Sequence, residues 1–454
     1  MKKILLIIPA MIFVYSTNAQ TNVLDEYIKQ GLESNLVIKQ NQMALESANY
    51  ALKIAKGLYL PTISTQSRYT LSKGGRTIDF PIGDLLNPVY STLNDLLVSQ
   101  GGTAQFPMVE NQQINFLREK EYEAKLSITQ PIYYPSIAIN KRIEEQKLYM
   151  TQTEMNQFQR ELTFQIKEAY YNYMKVLNYY DLIQKTKEVV KENYRVSSKL
   201  LENNMITRDA LLRAKSEISK VELIETEAVK NREMAKSYFN FILNRNLDDE
   251  IIIASQSENF LTLDKSELAS HALQSREELQ LLDQQILIMD DVADLNRAEM
   301  LPRLILAADY GIQGEDLTFD NDADFLTASL VLQWDIFSGN TKRNKKKQTL
   351  IEKQRIEYIK EEAQDKIQLE VKQDLFEVEQ QYKSLNLAQT RCNEAFEFYR
   401  IIEKRFRLGE VALIELFDAR NNMTEAETQL IVTQYDYLTS MAKLEKSSAK
   451  VIQL

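Results

Sequence analysis

Glycine and proline are scarce, at 11 and 8 of 454 residues, well below ordinary usage. A chain with so few turn formers cannot weave a many-layered globular fold, so long uninterrupted elements are expected. Cys392 is the only cysteine, which excludes an internal disulfide framework and argues against a lipidated N-terminus. His271 is the only histidine, removing histidine-based triads and multi-histidine metal sites. Positive charge is not in excess either: 55 Lys and Arg against 65 Asp and Glu give −10. No nucleic-acid partner is expected of such a chain, because phosphate binding needs a basic face. No run of about 20 apolar residues occurs, so no helix should span a bilayer. No phosphate loop, nucleotide motif or convincing catalytic pair is present, so neither an enzyme nor a cofactor is expected.

Lys2 and Lys3, the apolar run Ile4 to Val14 and the small residues before Gln20 have the layout of an export leader. Cleavage is expected between Ala19 and Gln20.

The turn formers are clustered. Nine of the glycines and seven of the prolines fall within Gly57 to Pro135 and Pro302 to Gly339. Outside these windows the pattern is helical. Apolar residues recur every three or four positions from Ile356 through Ile367, Val371, Leu375, Val378, Leu385 and Tyr399 to Phe406, the spacing of one helix face. At about 1.5 Å per residue, Thr341 to Phe406 would reach about 100 Å. Leu162, Ile166, Ala169, Tyr173 and Val176 mark a counterpart within Ser136 to Leu200.

Inside the windows the period is two. Tyr122, Ala124, Leu126 and Ile128 share one strand face while Glu121, Glu123, Lys125 and Ser127 share the other. Leu304 to Ile312 and Leu326 to Trp334 alternate likewise, and Thr62 to Thr70 does so more weakly. Four such strands, apolar on one side, have the length and dyad of a transmembrane β-barrel. The alternative is an exported, non-membrane coiled-coil scaffold whose strands pack their apolar face on the helices.

The stretch RLGEVALIELFDAR, Arg407 to Arg420, holds the only glycine after Gly339, with a long helical run on either side. A fainter copy lies 205 residues earlier, at Leu201 to Lys215, with Asn204 in place of Gly409. Asparagine tolerates positive φ, so both turns can form. Leu60-Pro61 aligns with Leu301-Pro302, and Gln130-Pro131-Ile132-Tyr133 with Trp334-Asp335-Ile336-Phe337. Each half therefore reads helix, strand, loop, strand, helix, turn, helix, an internal two-fold repeat. The first loop, about Ser72 to Lys120, is far longer than the second, Gln313 to Asp324. Four strands cannot close a barrel, and open edges cannot sit in lipid, so several copies must share one.

With these Leu-Pro breaks, the segment Trp334 to Gly339 followed by Lys342-Arg343, and Phe406-Arg407-Leu408-Gly409 leading to Ile414 to Ala419, the mature chain resembles the TolC-like outer-membrane efflux proteins. The resemblance implies an α+β membrane protein. Four strands per chain contribute to a 12-stranded barrel of a homotrimer in outer-membrane lipid, continued by a long α-helical coiled-coil barrel in the periplasm of a Gram-negative-type bacterium. The corresponding layout is leader 1–19, periplasmic helix 20–60, first β-hairpin 61–133 and long helices 134–243. After an equatorial region at 244–265 come a periplasmic helix 266–301, the second hairpin 302–337, long helices 338–446 and a tail 447–454. The implied function is the passive exit duct of a tripartite efflux or type I secretion system, working with a periplasmic adaptor and an inner-membrane pump. Carried over residue by residue, Glu415 and Asp418 would form acidic rings at a periplasmic gate beside the tip turns at Asn204 and Gly409. Phe406 and Val411 stand where the family's latching tyrosine and arginine are expected, so those hydrogen bonds are missing, with Arg208, Arg213 and Arg407 as candidate substitutes.

The remaining candidates have plainer readings. The run Lys342 to Lys347 reads as a solvated helix start. Asp320, Asp322 and Asp324 imitate a calcium loop but lack its glycine and its closing glutamate. Cys392 falls on an apolar stripe and Tyr170, Tyr171 and Tyr173 on a packed helix face.

Overall fold

A computed structural model describes residues 23–253, 265–315 and 323–451. Ala19, Gln20, Asp320, Asp322 and residues 254–264 of the 244–265 stretch lie outside the described residues.

The first half runs α1 (Val23–Ser34), α2 (Leu36–Gly57), β1 (Thr62–Leu71), β2 (Thr77–Phe80), α3 (Ile82–Ser99), β3 (Gln112–Asn115), β4 (Lys120–Tyr133), α4 (Pro135–Glu202) and α5 (Arg208–Ile242). The second runs α6 (Lys265–Ser275), α7 (Glu277–Ala298), β5 (Arg303–Gly314), β6 (Asp324–Gln333), α8 (Thr341–Arg407) and α9 (Leu413–Ser448). β1 and β5 begin 241 residues apart, and α5 and α9 begin 205 apart. The difference is taken up between the two hairpins, where the first connection is much the longer.

Two expectations need correction. The single helices anticipated over 20–60 and 266–301 are each broken in two. Asn35 breaks the first because its Oδ1 accepts the N–H of Val37 at 2.8 Å, capping α2; Arg276 stands between α6 and α7. The long first loop is folded: β2 and β3 pair antiparallel, Ile78 opposite Ile114, around the 18-residue α3. Periodicity over so short a pair, interrupted by Pro81 and Pro88, does not stand out in the sequence.

The chain divides into two units. One holds residues up to Tyr50, Glu145–Met289 and those from Ile351 on. Its core joins Leu24, Tyr27, Leu162, Ile166, Tyr170, Phe239, Leu375, Val378, Tyr437 and Leu444. Tyr27 meets Phe239 edge-on at 5.0 Å between ring centroids, a favoured aromatic geometry. The apolar stripe of α8 is the buried one, from Ile356 to Phe406, although Ile359 is exposed. Tyr170, Tyr171 and Tyr173 are packed, and His271 Nδ1 lies 3.0 Å from the Ser448 carbonyl. Cys392 is half-buried, and burial pushes its thiol up, away from nucleophile chemistry.

The other unit, Ala51–Glu144 and Asp290–Leu350, holds the β2–β3 pair and a four-stranded antiparallel sheet in the order β1-β4-β5-β6. All four connections to helices leave from one end of this sheet; the insertion between β1 and β4 and the β5–β6 connection leave from the other.

Candidate functional site

The sheet's register sorts its side chains into two unlike faces. Leu126 pairs with Thr65 and with Tyr310, Ile128 with Ile63 and Ala308, Leu306 with Leu330 and Leu304 with Leu332. Apolar residues of all four strands therefore share one face, as strand alternation requires. That face is open: Ile63 is 63% exposed, Leu326 75%, Leu330 64% and Leu332 65%. Such exposure is contrary to what the scaffold alternative requires. In water such a continuous apolar patch would be a liability.

The opposite face is charged and cross-linked. Arg68 meets Glu123 at 2.6 Å, Lys125 meets Glu123 at 3.6 Å and Asp309 at 3.4 Å, and Gln313 donates to Glu121 at 2.5 Å. Gly311 lies opposite Lys125, where an added Cβ would strike the Ala124 carbonyl oxygen and the Lys125 Cα. Only glycine lets β4 approach β5 this closely. Among the described residues, the edges β1 and β6 have no further partner strand.

At the strand–helix junction, Trp334 donates its indole N–H to the Met300 carbonyl at 2.9 Å. Lys342, first of the basic run, donates to the Glu299 carbonyl at 2.5 Å and sits 3.1 Å from Asp335. It is therefore a junction residue rather than a free anion-binding charge.

In the first unit, the α4–α5 and α8–α9 turns have the same backbone. Asn204 has φ 56° and Gly409 φ 77°. In the first turn the Met205 N–H donates to Leu200 O at 2.8 Å and the Asn204 N–H to Leu201 O at 2.9 Å. In the second, the Glu410 N–H donates to Arg405 O at 3.0 Å and the Gly409 N–H to Phe406 O at 2.9 Å. Both are Schellman closures with a left-handed residue at the position after the cap. One apolar cluster joins them: Tyr194, Leu200, Ala210 and Ala214 meet Tyr399, Phe406, Leu413, Leu416 and Phe417. Phe406 is buried there and Val411 packs against it. Both serve as packing residues, with no polar side-chain atom to offer.

Glu415 and Asp418 point away from this cluster. Both are exposed, one turn apart on α9. Glu415 Oε1 accepts the Ala412 N–H at 3.4 Å, the carboxylate half of a capping box; Asp418 has no hydrogen-bond or ion-pair partner among the described residues. Arg407 is engaged by Glu403 at 2.7 Å within α8, while Arg208 and Arg213 are exposed.

Sequence reasoning missed Arg420. It is 1% exposed, donates to Glu217 Oε2 at 2.5 Å and Asn421 Oδ1 at 2.7 Å, and lies 5.6 Å from the Phe417 ring. Its signal was available: Arg420 follows Leu416 by four and Phe417 by three, so it falls on the buried stripe and needs an ionic partner. Nearby, Arg420, Thr424, Glu427, Lys185 and Asp181 help line a cavity of about 360 Å³. Burial holds the Glu427 carboxyl above its ordinary range, and Lys185 offsets only part of this. Among the described residues no cluster of acids, cysteine and histidine could hold a metal, and no helix is long and apolar enough to cross a membrane.

An amphipathic open sheet joined to helices of 68 and 67 residues defines the class: the fold of outer-membrane channels. Over 94% of the chain it superposes on the outer membrane channel CmeC of Campylobacter jejuni, with a TM-score of 0.75, 15% identity and 85% of that chain covered. The open-state MtrE outer membrane channel of Neisseria gonorrhoeae gives 0.75 at 16% identity, covering 94% and 89%. The family described as outer membrane efflux protein matches residues 268–450. The alkaline protease secretion protein AprF of Pseudomonas aeruginosa is 23% identical over 349 residues, 73% of this chain and 70% of AprF. The chain thus shares the fold of these outer-membrane channels and, over residues 268–450, is similar to the outer membrane efflux protein family.

Proposed function

We propose that three copies of this chain close a 12-stranded barrel in the outer membrane, apolar face to lipid and charged face to the lumen. Their long helices continue it as a periplasmic duct. The observation that carries this reading is the sheet itself, with its apolar face exposed in register and both edges unpaired. Neither feature is tolerable in a lone soluble chain, and both are resolved when copies pair edge to edge in lipid. Transport is passive and no reaction is involved; a periplasmic adaptor and an inner-membrane pump supply the drive. AprF, named for secretion of alkaline protease, supports the secretion arm of this role.

The paired turns are the periplasmic tip. Three copies of Glu415 and Asp418 would stack two carboxylate rings, attracting cations and opposing closure by like-charge repulsion. Closure is held by the apolar packing of Phe406 and Val411 instead of latching hydrogen bonds. Glu415→Ala with Asp418→Ala is expected to weaken cation preference and change single-channel conductance in planar bilayers. Unchanged values for both would remove the rings from the account.

A further inference from the structure

The two halves of the chain repeat their contacts as well as their elements. Thr62 lies opposite Thr129 in the first hairpin, and Arg303 lies opposite Gln333 in the second. Moving β1 forward by 241 residues and β4 by 204 turns one pair into the other, so the repeat preserves register residue for residue. Inside one copy the halves also meet along their long helices. There α4 runs antiparallel to α9: Lys167 pairs with Glu445, Lys175 with Asp436 at 3.2 Å, and the Asn178 side-chain amide donates to the Tyr435 hydroxyl at 2.8 Å.

In the repeat α4 corresponds to α8 and α9 to α5, with the turns at Asn204 and Gly409 setting the offset at 205. Carried over on that offset, the α4–α9 register sets Phe376 of α8 level with Met234 of α5, Leu387 with Leu223 and Phe398 with Leu212. All six are exposed, between 48% and 74%. Their counterparts beside the α4–α9 contact are covered: Tyr171 for Phe376, Leu182 for Leu387 and Phe417 for Leu212 are 2%, 8% and 3% exposed. Two apolar stripes thus match in spacing and level, and the repeat states what should cover them. We propose that α8 of one copy packs antiparallel on α5 of the next in this register, so that the seam between copies repeats the seam between halves. The same mapping turns Leu126 opposite Tyr310 in the β4–β5 pairing into Leu330 of β6 opposite Tyr69 in β1 of the next copy. A head-to-tail contact of this kind closes into a ring; that three copies complete it rests on the reading above.

The test uses cysteine pairs in a Cys392→Ser background. Leu387→Cys with Leu223→Cys sits level across the seam, whereas Leu387→Cys with Met234→Cys is out of register by 11 residues, about 16 Å along a helix. Outer membranes are treated with a bis-maleimide too short to bridge that offset, and unheated samples are run alongside to show the assembled particle. Most of the level pair should shift to linked dimers and trimers, and almost none of the offset pair. Phe398→Cys with Leu212→Cys reads the same seam at a second level should the first pair disturb assembly. Equal linking of level and offset pairs would overturn the register, as would linking confined to single chains. So would an intact three-copy particle in which both level pairs stay unlinked, since something other than a neighbouring copy would then cover these faces. If the Cys392→Ser protein itself forms no three-copy particle, the barrel reading falls, and the seam with it.

Discussion

A guanidinium that is 1% exposed has to be answered by a carboxylate, and Glu217 answers Arg420 across from α9 to α5. Removing one partner of a buried pair strands the other. Arg420→Ala should therefore lower stability by about 3 kcal/mol, and Arg420→Lys by less, since it keeps the charge but loses the fork; thermal unfolding of the detergent-solubilised protein reads both. Glu427 makes the opposite case. Its carboxyl is held above the ordinary range by burial, so the native state favours the protonated form. The stability this lends is complete below the ordinary carboxylate range and is lost as pH rises through the raised value. Glu427→Gln should accordingly raise the unfolding temperature near pH 7.5 and leave it unchanged near pH 4. At this scale the sequence was read unevenly. Asn204 and Gly409 announced their positive φ through residue type; the spacing of Glu415 and Asp418 put them on one helix face, while a gate role for them came only from the resemblance. The burial of Arg420 was readable from its stripe, but its partner Glu217 lies 203 residues away and the burial that raises Glu427 comes from packing between distant segments, which no local pattern reveals.

Strand alternation fixed which side chains would share a face, because a period of two leaves no freedom once register is set. Register itself came from elsewhere. Gly311 seats β5 against Lys125 of β4, a contact that depends on cross-strand proximity and is silent in the sequence. Gly311→Val should unseat the β4–β5 pairing. It is expected to abolish the heat-resistant form on gels while far-UV circular dichroism keeps its helical signal; a normal heat-resistant form would refute the role given to this glycine. The long helices were the most legible elements, since dozens of residues repeat one spacing. The insertion was the least legible, because its strands are four residues each and α3 hides its polar face in backbone bonds to 105–109, so its amphipathicity runs against the usual sense.

One copy leaves apolar surface on the helices as well as on the sheet. On α5, Leu212, Leu223 and Met234 recur every 11 residues at 59%, 74% and 64% exposure. On α8, Tyr358 and Leu369, then Leu387 and Phe398, keep the same interval. Eleven residues make three turns, so these are straight stripes awaiting neighbouring helices. Sheet edges, sheet face and helix stripes all fit the proposed assembly of copies in a membrane. The most direct measurement is the mass of the particle extracted intact from outer membranes, by native mass spectrometry in detergent. The account predicts three chains, with the protein in the membrane fraction. A soluble particle of one or two chains would contradict it.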